Sequence, residues 1–268
     1  MKLLYFGDIV GRAGRRSMLT HLPLLTEKYV PDFVMANGEN AAHGFGITAK
    51  ICASFFEAGI DVITLGNHAW DQREIMTYIQ EEPRLIRPLN YPETTPGAGV
   101  GLFEARNGAR VCVAQVMGRL FMEPLDDPFE AVENCFSRIT LGETADCIAI
   151  DVHAEATSEK MAIAHLLDGR VSLVAGTHSH IPTADAQVLP GGTAYQTDVG
   201  MCGDYNSVIG MKKEAAINKF TRKMPGARLE PAEEEATTCA VLLETDDRTG
   251  LAKKIEPVRV GGRLRETV

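Results

Sequence analysis

The sequence predicts an α/β protein of two mixed β-sheets packed face to face with flanking helices, a four-layer α/β/β/α sandwich. Three observations predict it. Apolar runs alternate with helical stretches through the first two thirds, the pattern of parallel sheet built by right-handed crossovers. Three further pairs of apolar runs meet at tight turns and add antiparallel strands. No repeat, low-complexity tract or linker interrupts the 268 residues, so a single domain over 1–268 is expected. A chain of this size buries roughly three quarters of its unfolded surface, enough for one large core.

The elements follow in order. LLYF (residues 3–6) is the first strand, and a helix runs from about Arg15 to Tyr29. DFVMAN is the second strand, followed by a helix to Ala58 with Thr48 as N-cap. DVITLG is the third, and the helix from Asp71 through Ile79 must stop before Pro83. GVGLFEA and ARVCVAQVM form a hairpin across Arg106-Asn107-Gly108. A helix from Pro128 to Ile139 leads to the strand DCIAIDV, and a helix from Ser158 to Leu167 leads to VSLVAG. DAQVLP and TAYQTDV form a second hairpin on Pro190-Gly191-Gly192. CAVLLET and LAKKIEPVRV form a third across Asp246-Asp247-Arg248-Thr249-Gly250. The polar stretch from Pro225 to Thr238, with Glu233-Glu234-Glu235, reads as a solvated loop.

Composition excludes several classes. Hydrophobic content of 45% with 24% charged residues is ordinary for a globular protein. No apolar run approaches the ~20 residues of a membrane span, and MKLLYFGDIVG reads as a first strand, not a secretory signal. Residues before Lys212 carry fifteen basic and twenty-six acidic side chains, whereas the tail is net positive by two. An acidic body argues against non-specific nucleic-acid binding and suits a site that gathers cations to hold an anionic substrate. The six cysteines show no C-x-x-C pair and sit largely inside apolar runs, so reduced core thiols and a cytoplasmic location are expected. Self-association is compatible with this composition.

Position carries the functional information. Five apolar strands each run, at the carboxyl end, into residues that bind metal ions: Asp8; Glu39 and Asn40; Asn67 and His68; His153; His178 and His180. In open α/β sheets ligands bind outside the carboxyl ends of the strands, so these eight side chains need not be sequence neighbours to share a cleft. If His178-Ser179-His180 stays extended, its period of two places both imidazoles on one side of the chain. Asp151, His153 and Glu155 share a face for the same reason. Singly, each of these residues is equally well a turn, cap or surface group. Of the seven histidines, His21 and His165 fall in helices and read as surface residues, and His43 sits in a glycine-rich loop.

Competing motifs fail. Gly7-x-x-x-Gly11-x-x-Gly14 lacks the G-x-G-x-x-G spacing, and Asp8 would aim a carboxylate at a pyrophosphate. There is neither a P-loop nor a G-x-S-x-G elbow. Arg12, Arg15 and Arg16 lie near a helix N-terminus, where Arg12 is placed to meet a phosphate; Arg16 suits a solvated face. Arg12 and His43 are the candidates for substrate contacts.

Taken together and in order, Gly7-Asp8, Gly38-Glu39-Asn40, Gly66-Asn67-His68, His153 and Gly176-Thr177-His178-Ser179-His180 resemble the calcineurin-like metallophosphoesterases. Within them the chain is similar to the YmdB-type subfamily through GDIVGRAGR, NGENAAHGFGIT, TLGNHAWD, DVHAEATSEK, GTHSHIPTAD and TDVGM. These blocks span Leu3 to Met201. The sequence departs from the wider superfamily at three places: Asp8-Ile9-Val10 lacks the usual D-x-H histidine, Glu39 stands for the bridging Asp, and Ala69 follows G-N-H, with Asp71 two positions on.

The resemblance implies two divalent metal ions per chain. Asp8, Glu39, Asn40 and His180 would hold one, Glu39, Asn67, His153 and His178 the other, with Glu39 bridging and Asn40 in the vacant histidine place. An amide oxygen in place of an imidazole favours Mn or Fe over Zn. It further implies a bridging hydroxide that attacks phosphorus and His68 as the proton donor to the leaving alkoxide. The implied substrate is a small-molecule phosphodiester, a cyclic nucleotide, 2′,3′-cyclic before 3′,5′-cAMP. Phe45 and Tyr205 are the guesses for a base-stacking platform. Two rivals remain: a nucleotide- or RNA-sensing regulatory module with little turnover, and a metal amidohydrolase, whose H-x-H would come in the first strand instead of late.

Overall fold

The computed structural model describes residues 1–222 and 226–268. The chain runs β1 (Lys2–Phe6), α1 (Gly11–Tyr29), β2 (Phe33–Asn37), α2 (Ala49–Ala58), β3 (Val62–Thr64), α3 (Ile75–Glu81) and β4 (Leu85–Ile86). It continues through β5 (Val100–Glu104), β6 (Arg110–Met117), α4 (Pro128–Phe136), β7 (Cys147–His153), α5 (Thr157–Leu166) and β8 (Leu173–Thr177). The last third holds β9 (Gln187–Val188), β10 (Ala194–Gln196), β11 (Gly203–Asp204), α6 (Lys213–Arg222), β12 (Ala236–Thr245) and β13 (Ala252–Val260).

One sheet has the order β11-β12-β1-β2-β3-β4 with β13 also on β12; the other has β5-β6-β7-β8-β10-β9. Strands β1 to β4 are mutually parallel, as are β6, β7, β8 and β10. Period-two alternation assigns each face of β1 to a different layer. Leu3 and Tyr5 meet Val113, Cys147, Ala149 and Leu173 between the sheets, while Leu4 and Phe6 meet Met18, Leu22 and Phe55 of the helices. A third cluster joins Ile148, Ile150 and Val174 to Val132 of α4 and Ile163 of α5. The layers are therefore α/β/β/α, as the sequence predicts. Such strands, buried on both faces, read as unbroken apolar runs.

Several boundaries differ, for physical reasons. The first helix begins at Gly11, four residues early, because the chain must hug its neighbours there. Gly11 has φ 59° and donates its N–H to the Asn40 carbonyl at 2.9 Å, and a Cβ on Gly14 would lie 2.1 Å from the Cys202 carbonyl. Conversely α3 starts at Ile75, since the side chains of Asp71, Gln72 and Glu74 bond to His68, Phe45 and the first residue of α2, Ala49. The polar stretch is only partly a loop: Glu233 to Glu235 are exposed, but Ala236, Thr237 and Thr238 already belong to buried β12. Pro225 lies outside the described residues. His21 is not a free surface group; its Nδ1 lies 2.8 Å from Thr238 Oγ1 and docks α1 on β12. His165 is exposed. Thr48 caps α2 by accepting from the Ile51 N–H at 3.3 Å, a bond worth ~1 kcal/mol. All six cysteines are free thiols, five of them buried. No helix among the described residues is long and apolar enough to cross a membrane.

Candidate metal centre

The parallel strands of both sheets end on the same edge, and their carboxyl ends deliver the predicted side chains to one place. Glu39, His153 and His178 each offer a ligand atom within 4.8 Å of the others. His153 Nε2 is the focus, 3.0 Å from Glu39 Oε1, 2.9 Å from Asn67 Oδ1 and 3.2 Å from His178 Nδ1. Beside it, His180 Nε2 lies 3.1 Å from Asn40 Nδ2 and 3.7 Å from Asp8 Oδ1. Glu39 joins the two halves. Its Oε1 faces His153 and, at 3.1 Å, Asn40, while Oε2 accepts the His68 backbone N–H at 2.9 Å. Gly66 is obligatory here: a Cβ would lie 2.4 Å from Glu39 Oε2 and 2.5 Å from His153 Nε2.

Each imidazole has its outer nitrogen occupied. The Thr177 hydroxyl donates its one proton to Asp151 Oδ1 at 2.6 Å, so at 2.8 Å it can only accept from His153 Nδ1. Asp151 is held by Asn37, Thr64 and Gln115 through its other oxygen. His180 Nδ1 donates to the Ile209 carbonyl at 2.8 Å, and His178 Nε2 faces Glu155 at 3.2 Å. The inner nitrogens of all three rings are thereby left free, those of His153 and His178 within 4.8 Å of Glu39. This is the outer support that metal-ligating histidines characteristically carry.

His178-Ser179-His180 is not extended. His178 has φ 92° and His180 has φ 66°, left-handed values that cost an ordinary residue roughly 1–2 kcal/mol each. The sequence expectation of two imidazoles side by side therefore gives way to a kinked segment. His178 turns toward His153 and His180 toward Asn40 and Asp8. Asp8 Oδ2 accepts the His178 N–H at 3.2 Å.

The electrostatics suit cations. Burial pushes the Asp8 carboxyl up to about 6, against the pull of His180 and His153. Burial also works against ionised Glu39, but the charge and hydrogen bond of His153 outweigh it and hold the carboxyl down to about 2. Burial disfavours charged His153, yet Glu39 and then Asp8 raise it to about 9. His178, buried and next to that charge, is lowered to about 3. Asp8 Oδ1 is fully buried with no hydrogen-bond partner among the described residues. An orphaned buried oxygen, two carboxylates, two amides and three imidazoles with free inner nitrogens fit divalent metal ions. Asn40 meets this role after a half turn that brings its amide oxygen to where Nδ2 stands.

His68 lies at the rim and outside the cluster. Its Nδ1 is 2.8 Å from Asp71 Oδ2, and its ring sits edge-on to Phe45 with centroids 5.0 Å apart. Asp71, Gln72 and His43 line an open groove of about 630 Å³, the scale of small-ligand sites. His43 thus borders the approach without touching the cluster. Arg12 pairs at 3.5 Å with Glu233, another groove residue, and is likewise not among the converging groups. Arg15 is spent on the Ala41 carbonyl, and Arg16 is exposed. The Tyr205 hydroxyl is tied to the His180 carbonyl at 3.0 Å.

The family model of the YmdB-like proteins matches residues 4–258. The chain belongs to this family. It is 45% identical to the 2′,3′-cyclic-nucleotide 2′-phosphodiesterase of Bacillus subtilis (strain 168), over 97% of each chain. Among solved structures, a hypothetical protein of Thermus thermophilus is 44% identical with a TM-score of 0.90, covering 98% of this chain and 100% of that one. A phosphatase of Mycoplasma pneumoniae is 34% identical with a TM-score of 0.91, covering 97% and 93%. Both YmdB-like motif segments DVHAEATSEK and TDVGM lie against the cluster. They contribute Lys160 and Asp198, which sequence reasoning passed over along with Thr177 and Gln115. The available signal was a polar side chain inside an apolar strand, or, for Lys160, on the buried helix face shared with Ile163, Ala164 and Leu167.

Proposed function

We propose that this YmdB-like chain is a two-metal phosphodiesterase hydrolysing cyclic nucleotides, 2′,3′-cyclic diesters first and 3′,5′-cAMP second, within one domain over residues 1–268. The observation that carries this reading is the trio of imidazoles with outer nitrogens bonded and inner nitrogens free, those of His153 and His178 beside Glu39 and that of His180 beside Asn40 and Asp8. The 45% identity to an enzyme named for that reaction supports the substrate class. Asp8, Glu39, Asn40 and His180 would hold one ion and Glu39, Asn67, His153 and His178 the other; Mn or Fe suits the oxygen-rich set better than Zn. When bound, such a pair supplies Lewis-acid charge for the phosphoryl oxygens and acidifies water. The residues themselves align the phosphorus beneath the rim. Water's oxygen forms the new bond to phosphorus while a ribose oxygen leaves. Asp71 secures Nδ1 of His68, leaving Nε2 to give that oxygen its proton.

Protein purified without chelator should contain about two transition ions per chain by elemental analysis, as expected of a paired site. Chelation should abolish turnover of 2′,3′-cyclic nucleotides and Mn²⁺ should restore it. A metal-free preparation of full activity, or preference for phosphomonoesters in a panel with linear and cyclic diesters, would overturn the reading. A second expectation concerns the His153 support. Thr177→Val keeps the packing but releases the ring, and should weaken metal affinity by about 10–100-fold. Unchanged affinity in titrations with Mn²⁺ would remove that role.

A further inference from the structure

Lys160 and Asp198 form an ion pair at 2.9 Å with side chains 1% and 0% exposed. Neither touches the cluster. Burying two charges is costly, and such a pair is commonly replaceable by apolar residues without loss of stability, so its contribution must be sought in geometry. The hydrogen bonds locate that contribution. Lys160 Nζ donates to the Thr177 carbonyl at 2.6 Å, and Asp198 Oδ2 accepts the Ser179 N–H at 3.0 Å. Asp198 Oδ1 accepts the Gly200 N–H at 2.9 Å, anchoring the carboxylate from behind. The Thr177 carbonyl belongs to the peptide preceding His178, and the Ser179 N–H to the peptide following it. Together the two charges fix both peptide planes that define the backbone angles of His178, the residue with φ 92°. The Lys160 stem reaches this point across Gly176, where a Cβ would come 2.7 Å from its Cδ.

We propose that Lys160 and Asp198 are positioning residues that clamp His178 in its left-handed conformation, and so divide the H-x-H motif between two metal sites. This inference rests on the two-metal reading above. His180 is secured separately, its carbonyl accepting from the Met201 N–H at 3.1 Å and the Tyr205 hydroxyl at 3.0 Å, and its Nδ1 bonded to Ile209. The clamp therefore acts on the half containing Glu39, Asn67, His153 and His178, and spares the other.

The test is calorimetric titration of metal-free full-length protein with Mn²⁺, alongside thermal unfolding of the same metal-free samples. Wild type is compared with Lys160→Met, Asp198→Asn and the double variant, which leaves no lone buried charge. The expected result is selective: one of two binding steps weakened about 10–100-fold, the scale for loss of ligand support, with the other step unchanged. Turnover at limiting Mn²⁺ should fall and recover largely at excess Mn²⁺, with KM little altered. Unchanged affinities, or equal weakening of both steps, would overturn the clamp, as would failure of all three variants to fold. If wild type itself binds no Mn²⁺, the metal reading fails instead, and the two failures are told apart.

Discussion

Glu39→Gln is expected to strip metal from both halves of the centre and to lower turnover of 2′,3′-cyclic nucleotides by at least about 10³-fold. The magnitude follows from its position. Loss of an outer supporting partner typically costs 10–100-fold, and Glu39 would serve as a ligand in both halves. Its Oε1 lies 3.0 Å from His153 Nε2 and 3.1 Å from the Asn40 amide, while Oε2 is held by the His68 N–H at 2.9 Å. Gln preserves the volume, so the packing around Gly66 survives. What disappears is the charge, together with the acceptor that the His153 ring faces. Asn40→Ala removes a neutral group from one half and should weaken chiefly the step that His180 serves. Elemental analysis and two-step Mn²⁺ titration of the variants check both statements. Normal metal content and rate in Glu39→Gln would remove the bridging assignment.

Much of this centre was legible in the sequence because parallel strands oblige their carboxyl ends to meet. Asp8, Glu39, Asn40, Asn67, His68, His153, His178 and His180 could be grouped from strand-end position, although they span residues 8 to 180, whereas only the family resemblance implied a separate role for His68. The local shape of the H-x-H segment could not. The left-handed His178 is bonded to Asp8 and flanked by peptides bonded to Lys160 and Asp198, and His180 is bonded to Met201, Tyr205 and Ile209, partners distant in sequence that no local propensity encodes. Helix starts failed for the same reason: Gly11 begins α1 without a side-chain cap because the Asn40 carbonyl takes its N–H. The short β4 and β11 carry only two residues each, too few for any period to show. In α6 only Ala216 is buried, and Ile217 and Phe220 are exposed, so no core contact fixes the helix. Arg12, expected near a phosphate from its place at a helix N-terminus, pairs with Glu233 at 3.5 Å, a partner that sequence position did not indicate.

His68→Ala should separate proton donation from metal binding. The contact His68 makes with the cluster runs through its backbone N–H to Glu39 Oε2, which alanine retains. The imidazole instead faces Asp71 at 2.8 Å and Phe45, with the side chain 30% exposed. Metal content should therefore survive the substitution. Turnover of 2′,3′-cyclic nucleotides should fall about 10²–10⁴-fold, the usual scale of general acid catalysis, because a ribose alkoxide cannot leave without a proton. A nitrophenolate leaves unassisted, so bis(nitrophenyl) phosphate should be hydrolysed at close to the wild-type rate. Asp71→Asn should reproduce a smaller version of the same pattern, since it leaves the ring in place but removes the carboxylate that orients it. Parallel rates on the two substrates with metal counted in each sample decide the matter. Loss of metal in His68→Ala would make His68 a ligand. An equal loss of rate on both substrates, with metal retained, would assign the imidazole to the phosphoryl oxygens rather than to the leaving group.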